Sequence, residues 1–527
     1  MIRTDLIAPI GELVRRHAGQ RGHKLAFEDA GGTALSYAEL EARSAALAGH
    51  LQDRGLQAGD TVAILLPNCV DWVLACVAIA RAGAVSVPIS HDAVEAEIRY
   101  RLEDSRCAAV IVSPQHLPLV RRLQRQLPAL RHLLLGADTG VEPAAGEPPG
   151  EQPDSLAVLA RTPARSAPRD PQDVHATAFI VYTSGTTGRA KGVMLSQHSM
   201  LWVVAACWAP IAGLCESDRV LSPLPLFHSY ALNISVMGIL ATGASEFLLP
   251  RFSTQDVLAR LRDGGYTLMP GVPTMFHYLL EGARAGGRAQ AASIRYFLSA
   301  GAIMPASLNR DFEATFGKPL LDGYGITETS TMVTLNWPGA QRVMGSCGLP
   351  LPGLAVRIVD TQGRDVAPGE QGELIVRGPN VMQGYLNKSA ETAAALLDGW
   401  YRTGDLARSD ANGLLAITGR LKELIIRGGQ NIAPAEVEEA VLSHPDVLDC
   451  AVLGVAHPQL GEVPVACIVA RDGRAVDVES IRSHCAGLLS VYKVPHAVHL
   501  VPEVPRTGSG KIMRFRLRDA LAGLAPG

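Results

Sequence analysis

A chain of 527 residues is too long for one hydrophobic core, so two or more domains are expected. With 47% hydrophobic and 19% charged residues it has the composition of an ordinary globular protein, and a net charge of −3 gives no basis for binding nucleic acid or an anionic membrane surface. The nine cysteines are scattered, odd in number and form no C-x-x-C, which favours reduced core thiols in a cytoplasmic protein over metal ligation.

The first 17 residues carry Asp5 and only a short apolar run, unlike a secretory signal. Leu25–Glu28 and Ala34–Ser36 flank the turn Asp29-Ala30-Gly31-Gly32, and Tyr37–Gln52 has helical spacing, with Leu40, Ser44, Leu47 and Leu51 on one face. The most apolar stretch, Thr61–Ile89, is broken by Pro67, Asn68, Asp71 and Arg81 and reads as a buried strand and helix, not a membrane span. Strands at 61–66, 84–88, 109–113 and 132–135 alternate with helices at 70–82, 93–104 and 116–126, the pattern of a parallel sheet with helices on its faces. From 136 to 173 periodicity fails in a Pro-, Gly- and acid-rich run, read as an extended, partly mobile surface connection.

The apolar run Ala178–Val181 then leads into Tyr182-Thr183-Ser184-Gly185-Thr186-Thr187-Gly188-Arg189-Ala190-Lys191-Gly192. Glycines let backbone N–H groups close around oxyanions, hydroxyls donate further bonds and Arg/Lys balance charge, so this composition suits a polyphosphate. The spacing is not that of Walker A, because Gly185, Gly188 and Lys191 stand three apart. A helical pattern from Gln197 to Cys207 follows, then strands at 219–222, 245–248, 266–269, 295–299 and 319–321, with helices at 230–241, 254–263, 272–284 and 305–315. From Ser346 to Thr418 the pattern is β-rich with Gly/Pro turns, and beyond Gly419 it reads as a compact α+β unit with a helix from Pro434.

Further groups stand at strand ends and near the C-terminus. In Asp322-Gly323-Tyr324-Gly325-Ile326-Thr327-Glu328-Thr329 a tyrosine between glycines can present its ring to a planar base, Thr327 can donate to a phosphate, and Glu328 is a hard oxygen ligand suited to Mg²⁺. Asp405 ends Gly399-Trp400-Tyr401-Arg402-Thr403-Gly404-Asp405, where a carboxylate can accept two O–H donors. Lys511 follows two glycines in Pro505-Arg506-Thr507-Gly508-Ser509-Gly510-Lys511-Ile512, the makings of a mobile arm.

Together these motifs, in this order and across essentially the whole chain, resemble the acyl-adenylate-forming superfamily of acyl-CoA synthetases, peptide-synthetase adenylation domains and beetle luciferases. The resemblance implies an α/β fold. A large N-terminal domain (1–418) would hold parallel-rich sheets, helices and a small β-barrel-like subdomain (about 346–418). A small mobile C-terminal α+β domain (419–527) would rotate about a hinge near Lys422. It implies that Thr183, Ser184, Gly185, Thr186, Thr187, Gly188, Lys191, Gly301, Ala302, Asp322, Gly323, Tyr324, Gly325, Thr327, Asp405 and Arg420 bind the nucleotide, with Tyr324 on adenine and Asp405 on the ribose. Thr327 would contact the α-phosphate, Glu328 would bind Mg²⁺, and Lys511 would bridge the acyl carboxylate and the α-phosphate; Lys511, Thr327, Glu328 and Arg420 form the implied catalytic set. Phe227, His228, Tyr230, Asn233, Met237, Ser299, Ala300 and Gly301 would line the acyl pocket, and Gly428 and Gly429 the pantetheine tunnel.

The implied reaction is ATP-dependent activation of a small-molecule carboxylic acid to acyl-AMP with release of pyrophosphate, then transfer to the thiol of CoA, or of an acyl or peptidyl carrier protein. The motif His228-Ser229-Tyr230 lacks the Asp that amino-acid-activating relatives use, and no buried Arg for a dicarboxylate is evident, Arg342 being the nearest. A largely apolar segment with Gly238 leaving depth favours a medium- or long-chain fatty acid, and the run Phe227–Asn233 also resembles coumarate-CoA ligases. The following Ser299-Ala300-Gly301-Ala302 departs from the Ser-Gly-Ala-Ala of those ligases. A non-catalytic acyl-adenylate binder would typically have lost Lys511 or Glu328, and both are present. No nucleic acid or integral membrane segment is expected, and a monomer or homodimer is.

Overall fold

The computed structural model describes residues 1–136, 153–183, 190–286, 291–471, 476–507 and 510–522. Two large sheets carry the bulk of the chain. In the first, strands Thr61–Leu65, Val85–Pro88, Ala109–Val112, His132–Leu135 and Thr177–Thr183 lie parallel, as the strand–helix alternation predicts. Its other edge is antiparallel: Lys191–Ser196 folds back on Thr177–Thr183, and Gly384–Tyr385 pairs outside it. The glycine- and hydroxyl-rich run therefore joins two antiparallel strands, and the helix Gln197–Val203 begins only after the second, capped by Ser196 Oγ on the Ser199 N–H.

In the second sheet Leu25–Asp29, Ser245–Leu248, Arg219–Ser222, Leu268–Gly271, Tyr296–Ser299 and Leu320–Tyr324 run parallel, with short antiparallel strands at either edge. Helix Val70–Arg81 lies in the core with every residue buried except Asp71. That explains why its sequence is apolar all round, without the one-sided stripe of a surface helix. Arg81 is buried too, and is tolerated because it is fully engaged by Asp170, Ser44 and Glu41. The partner Asp170 belongs to the run expected to be an extended, partly mobile connection. Among the described residues from 153 onward that run instead has a short strand Asp154–Ser155, a helix Leu156–Leu159 with Leu156 fully buried, and this ion pair.

Two helices depart from expectation. The first passes from α-helix into a π-helix at Val204–Trp208, and the second, expected at 230–241, is a π-helix over Leu232–Gly238 between short α-helical turns. The residues from Ala355 to Arg420 form an antiparallel five-stranded sheet, matching the β-rich reading. After it, Ile425–Arg427, Gln430–Ile432, Val447–His457, Gly461–Ala470 and Ala497–Leu500 make a further sheet. Helices Pro434–Leu442 and Val478–Ala486 cover it around a separate core of Ile425, Val437, Val452, Ile468 and Ile481. All nine cysteines are free thiols, and no helix among the described residues is long and apolar enough to cross a membrane.

Candidate active site

The second sheet ends, on the carboxyl side of its parallel strands, at a cavity of about 520 Å³ that residues of the C-terminal region line from the other side. Its walls include Gly301, Ala302, Asp322, Tyr324, Asp405 and Arg420 from the large body, with Lys511 entering from near the C-terminus.

Strand Leu320–Tyr324 delivers Asp322 and Tyr324, and the glycines beside the tyrosine are required by close approach. A Cβ on Gly325 would stand 1.6 Å from the Thr331 carbonyl oxygen, and one on Gly323 would be 2.8 Å from that of Thr334. The Tyr324 hydroxyl donates to Asp405 Oδ2 at 2.6 Å, and Arg420 Nε stands 2.7 Å from Oδ1. Asp405 and Arg420 are cross-strand partners, so the β-rich segment sets their pairing through its register. Burial pushes the Asp405 carboxyl above the ordinary range, while Arg420, Tyr324 and Lys511 pull against that shift. Burial, and then the neighbouring Arg420, lower the Lys511 ammonium below the ordinary lysine range, opposed by Glu423 and Asp405.

Beyond Gly325 the chain forms a tight turn, Thr327–Thr329, followed by Ser330 at φ 51° and Thr331 at φ 102°. Two consecutive non-glycine residues in the left-handed region are strained, and such strain persists where the surroundings over-determine it. Asn380 donates to the Thr329 and Met332 carbonyls, and Asn233 donates to that of Ser330. Thr327 Oγ1 lies 3.2 Å from Ser229 Oγ, and Glu328 Oε1 accepts from the Tyr385 hydroxyl at 3.0 Å. Burial raises the Glu328 carboxyl above its usual range. No ion pair to Glu328 is formed among the described residues, and they contain no group of three or more His, Cys, Asp or Glu side chains able to cage a metal. One unpaired carboxylate beside a hydroxyl fits Mg²⁺, which keeps waters and shares substrate phosphates, better than a metal that demands an all-protein cage.

The expected acyl-pocket residues sit differently. The Phe227 and His228 rings are 4.2 Å apart, and the Tyr230 hydroxyl donates to the Leu298 carbonyl at 2.9 Å. Ser299 ends its strand and Ala300 follows it, both buried, and the cavity wall takes in neither these nor Phe227, His228 or Tyr230. Burial holds His228 down at about 4, so it is neutral near pH 7. Its Nε2, Ser299 Oγ and Asp322 Oδ1 are buried without hydrogen-bond partners among the described residues. Asn233 and Met237 are fully buried in the core: the Asn233 amide accepts from Trp208 Nε1 at 2.6 Å and donates to the Met200 carbonyl. Trp208 stacks behind Tyr230, and the depth expected at Gly238 is taken by Leu214, whose Cδ2 would stand 3.0 Å from an added Cβ. Arg342, the nearest arginine considered for a dicarboxylate, is occupied by Glu313 at 3.0 Å.

Ser184, Gly185, Thr186, Thr187 and Gly188 lie outside the described residues. Of that loop Thr183 and Lys191 are described, paired across the strands that carry it, with Lys191 Nζ 4.8 Å from the centre of the Tyr385 ring. Lys422 is exposed in the turn Leu421–Glu423, next to Glu423, which binds Arg514 at 2.8 Å. Gly428 and Gly429, both at positive φ, make the two-residue turn between Ile425–Arg427 and Gln430–Ile432 and do not reach the cavity wall. The motif reading missed Asn380, Tyr385 and Trp208, which contact Thr329, Glu328 and Tyr230 from distant sequence and carry no local signal of that role.

A cleft that gathers glycine-flanked Tyr324, Asp405, Arg420 and a C-terminal lysine defines a nucleotide-activating enzyme. The chain belongs to the AMP-binding enzyme family, the acyl-adenylate-forming superfamily, matching the AMP-binding enzyme domain over residues 14–386 and the AMP-binding enzyme C-terminal domain over 436–511. Its class is the AMP-forming acid–thiol ligases. It is 35% identical to a feruloyl-CoA synthase from an Amycolatopsis species, over 97% of this chain and 98% of that one. Among solved structures it is similar to the anthranilate CoA ligase AuaEII in complex with anthranoyl-AMP, with a TM-score of 0.90 at 27% identity over 99% of each chain. It is also similar to ATP-bound MatB from Rhodopseudomonas palustris, with a TM-score of 0.88 at 30% identity, covering 98% of this chain and 100% of that one. Against apo MatB the TM-score is 0.76.

Proposed function

We propose that this protein adenylates an aromatic monocarboxylic acid, of the arylpropenoic or arylalkanoic kind, and transfers the acyl group to the thiol of CoA. The observation that carries the adenylation reading is the convergence of Lys511 with Tyr324, Asp405 and Arg420 on one cavity. An aromatic acid, and not the fatty acid suggested by the segment's composition, is supported by Trp208, Tyr230 and Leu214 filling the depth that a long chain would need. The pairing of Arg342 with Glu313 argues against a dicarboxylate. Similarity to a feruloyl-CoA synthase and an anthranilate CoA ligase points the same way.

In this reading the acid's carboxylate, already ionised at neutral pH, attacks the α-phosphorus of ATP. The new O–P bond forms as the bond to pyrophosphate breaks. The Tyr324 ring faces the adenine, and Asp405 exchanges its internal partners for the two ribose hydroxyls. Thr327 donates to the α-phosphate, and Lys511 stabilises the charge that gathers between carboxylate and phosphate. Glu328 would hold Mg²⁺, which supplies positive charge to the triphosphate. In the second half the thiol sulfur bonds to the acyl carbon and AMP leaves with the electron pair. We assign residues 1–418 and 419–527 to two bodies that rotate about Lys422 between halves, carrying Lys511 away. The greater likeness to ATP-bound than to apo MatB supports an adenylation-competent arrangement here. A cytoplasmic setting is part of the proposal, consistent with nine free thiols.

The test is pyrophosphate release over a panel of acids from acetate to palmitate, with malonate, benzoate, cinnamate, coumarate and ferulate, each with and without CoA. The proposal expects release with the aromatic acids and a thioester product when CoA is present. Palmitate as the best acid overturns the aromatic assignment, and release that CoA leaves unchanged moves the acceptor to a carrier protein. No release with any acid overturns the enzyme reading.

A further inference from the structure

Tyr385 belongs to none of the motifs that mark the nucleotide site, yet the fold holds it firmly against two of their charged groups. Its short strand, Gly384–Tyr385, pairs with Met194 and Val193, and the Leu386 N–H donates to the Gly192 carbonyl at 2.8 Å. The segment is thus sewn to the strand that starts at Lys191. On its other side the Tyr385 N–H donates to Thr392 Oγ1 at 2.9 Å. Gly384 stands at φ 147°, and a Cβ there would meet Thr392 Cγ2 at 2.8 Å. The backbone beneath the ring has little room to move.

From that position the side chain reaches two charged groups. Its hydroxyl donates to Glu328 Oε1 at 3.0 Å, and its ring face stands 4.8 Å from Lys191 Nζ. The Met382 N–H, three residues earlier, donates to the Glu328 carbonyl oxygen at 2.8 Å, so one short segment grips both the main chain and the carboxylate of that residue. Tyr401, only 3% exposed, interacts with the Tyr385 hydroxyl. A carboxylate with one oxygen held presents the other without the freedom of an unheld rotor, and such outer partners tune how well a metal ligand binds. An ammonium over an aromatic face is likewise held by the ring's electrostatics while keeping its donors available.

We propose that Tyr385 is a positioning residue for the adenylation half-reaction, its hydroxyl orienting the carboxylate of Glu328 and its ring orienting the ammonium of Lys191. One side chain thereby sets the distance between the group for the metal and a group for the phosphates. The proposal rests on the reading of Glu328 as the Mg²⁺ carboxylate.

Tyr385→Phe keeps the ring and the buried volume and removes only the hydroxyl. Mn²⁺ serves as the probe, its binding to the full-length enzyme with α,β-methylene-ATP followed by electron paramagnetic resonance, alongside thermal melting and steady-state kinetics. The variant is expected to need about tenfold more Mn²⁺ for half-saturation. The KM for the acid should stay unchanged, and melting should remain close to that of the parent. Tyr385→Leu should weaken nucleotide affinity at saturating metal about threefold beyond the Phe variant, because it also frees Lys191. In a Glu328→Gln background, Tyr385→Phe should have no further effect on Mn²⁺. Unchanged Mn²⁺ affinity in Tyr385→Phe, with affinity lost in Glu328→Gln, overturns the role of Tyr385 alone. Unchanged affinity in Glu328→Gln overturns the metal reading of Glu328 and the proposal with it.

Discussion

On the nucleotide side of the cleft, Asp405 already has two partners, Tyr324 at 2.6 Å and Arg420 at 2.7 Å, and Glu328 has Tyr385. Among the residues expected on the acyl side, His228 Nε2 has none among the described residues. The nucleotide half is thus kept in shape by internal bonds that a ligand must exchange, so ATP gains less there than a count of contacts would suggest. Under the proposed assignment the acyl half keeps one buried polar atom of His228 without a partner, and an unpaired buried donor or acceptor costs about 1–3 kcal/mol. Discrimination among acids should therefore be sharper than among nucleotides.

The largest test of this contrast is Lys511→Ala. Losing the cation at the reacting centre should slow adenylation by about 10²–10³-fold, while thioester formation from pre-formed acyl-adenylate persists. Equal loss in both half-reactions, measured by single turnover, would remove Lys511 from the first. Asp405→Ala comes next: losing hydrogen bonds to a charged group, about 1.5–3 kcal/mol, should raise the KM for ATP by roughly tenfold or more. It should also erase any preference for ATP over 2′-deoxy-ATP, with the acid profile untouched.

On the other side, Trp208→Ala should cost about 3–5 kcal/mol of stability, read by denaturant unfolding. It should also shift the acid panel toward longer substrates, where a profile that keeps its shape would clear Trp208 of any part in selection. Lys422→Pro should impair the second half-reaction more than the first, and equal rates in both would end the hinge assignment. The smallest effect concerns pH. Burial lowers the Lys511 pKa, so its charge is lost at a lower pH than for a free lysine. The kcat/KM for ATP should fall along that basic limb, and Lys511→Arg should move the limb upward in whatever activity is left. His228, held near 4, should contribute no inflection between pH 5 and 8.

Much of this was legible because strand–helix alternation and glycine-punctuated motifs are local. The strand ends that carry Asp322 and Tyr324, and the β-rich turn segment that carries Asp405, could be read from period and turn chemistry alone. The proposal of an aromatic acid in place of a long-chain one turns on Gly238 for the opposite reason. A glycine in a helix signals space only if nothing fills it, and Leu214, from outside the segment expected to line the pocket, stands 3.0 Å from where its Cβ would be. The π-helices at Val204–Trp208 and Leu232–Gly238 were equally illegible: their composition is that of any apolar helix, and the change of winding brings Trp208 and Asn233 together.

By itself the sequence determined the alternating α/β order, the family, and which residue types carry charge, hydroxyls and glycine freedom at strand ends, since each is set within a few residues of chain. Only the tertiary structure decided that Lys511 shares a cavity with Asp405, that Tyr385 joins Glu328 to Lys191, and that Trp208 stacks on Tyr230. Those are contacts between segments far apart in the chain, fixed by sheet register and packing, and no local pattern encodes them.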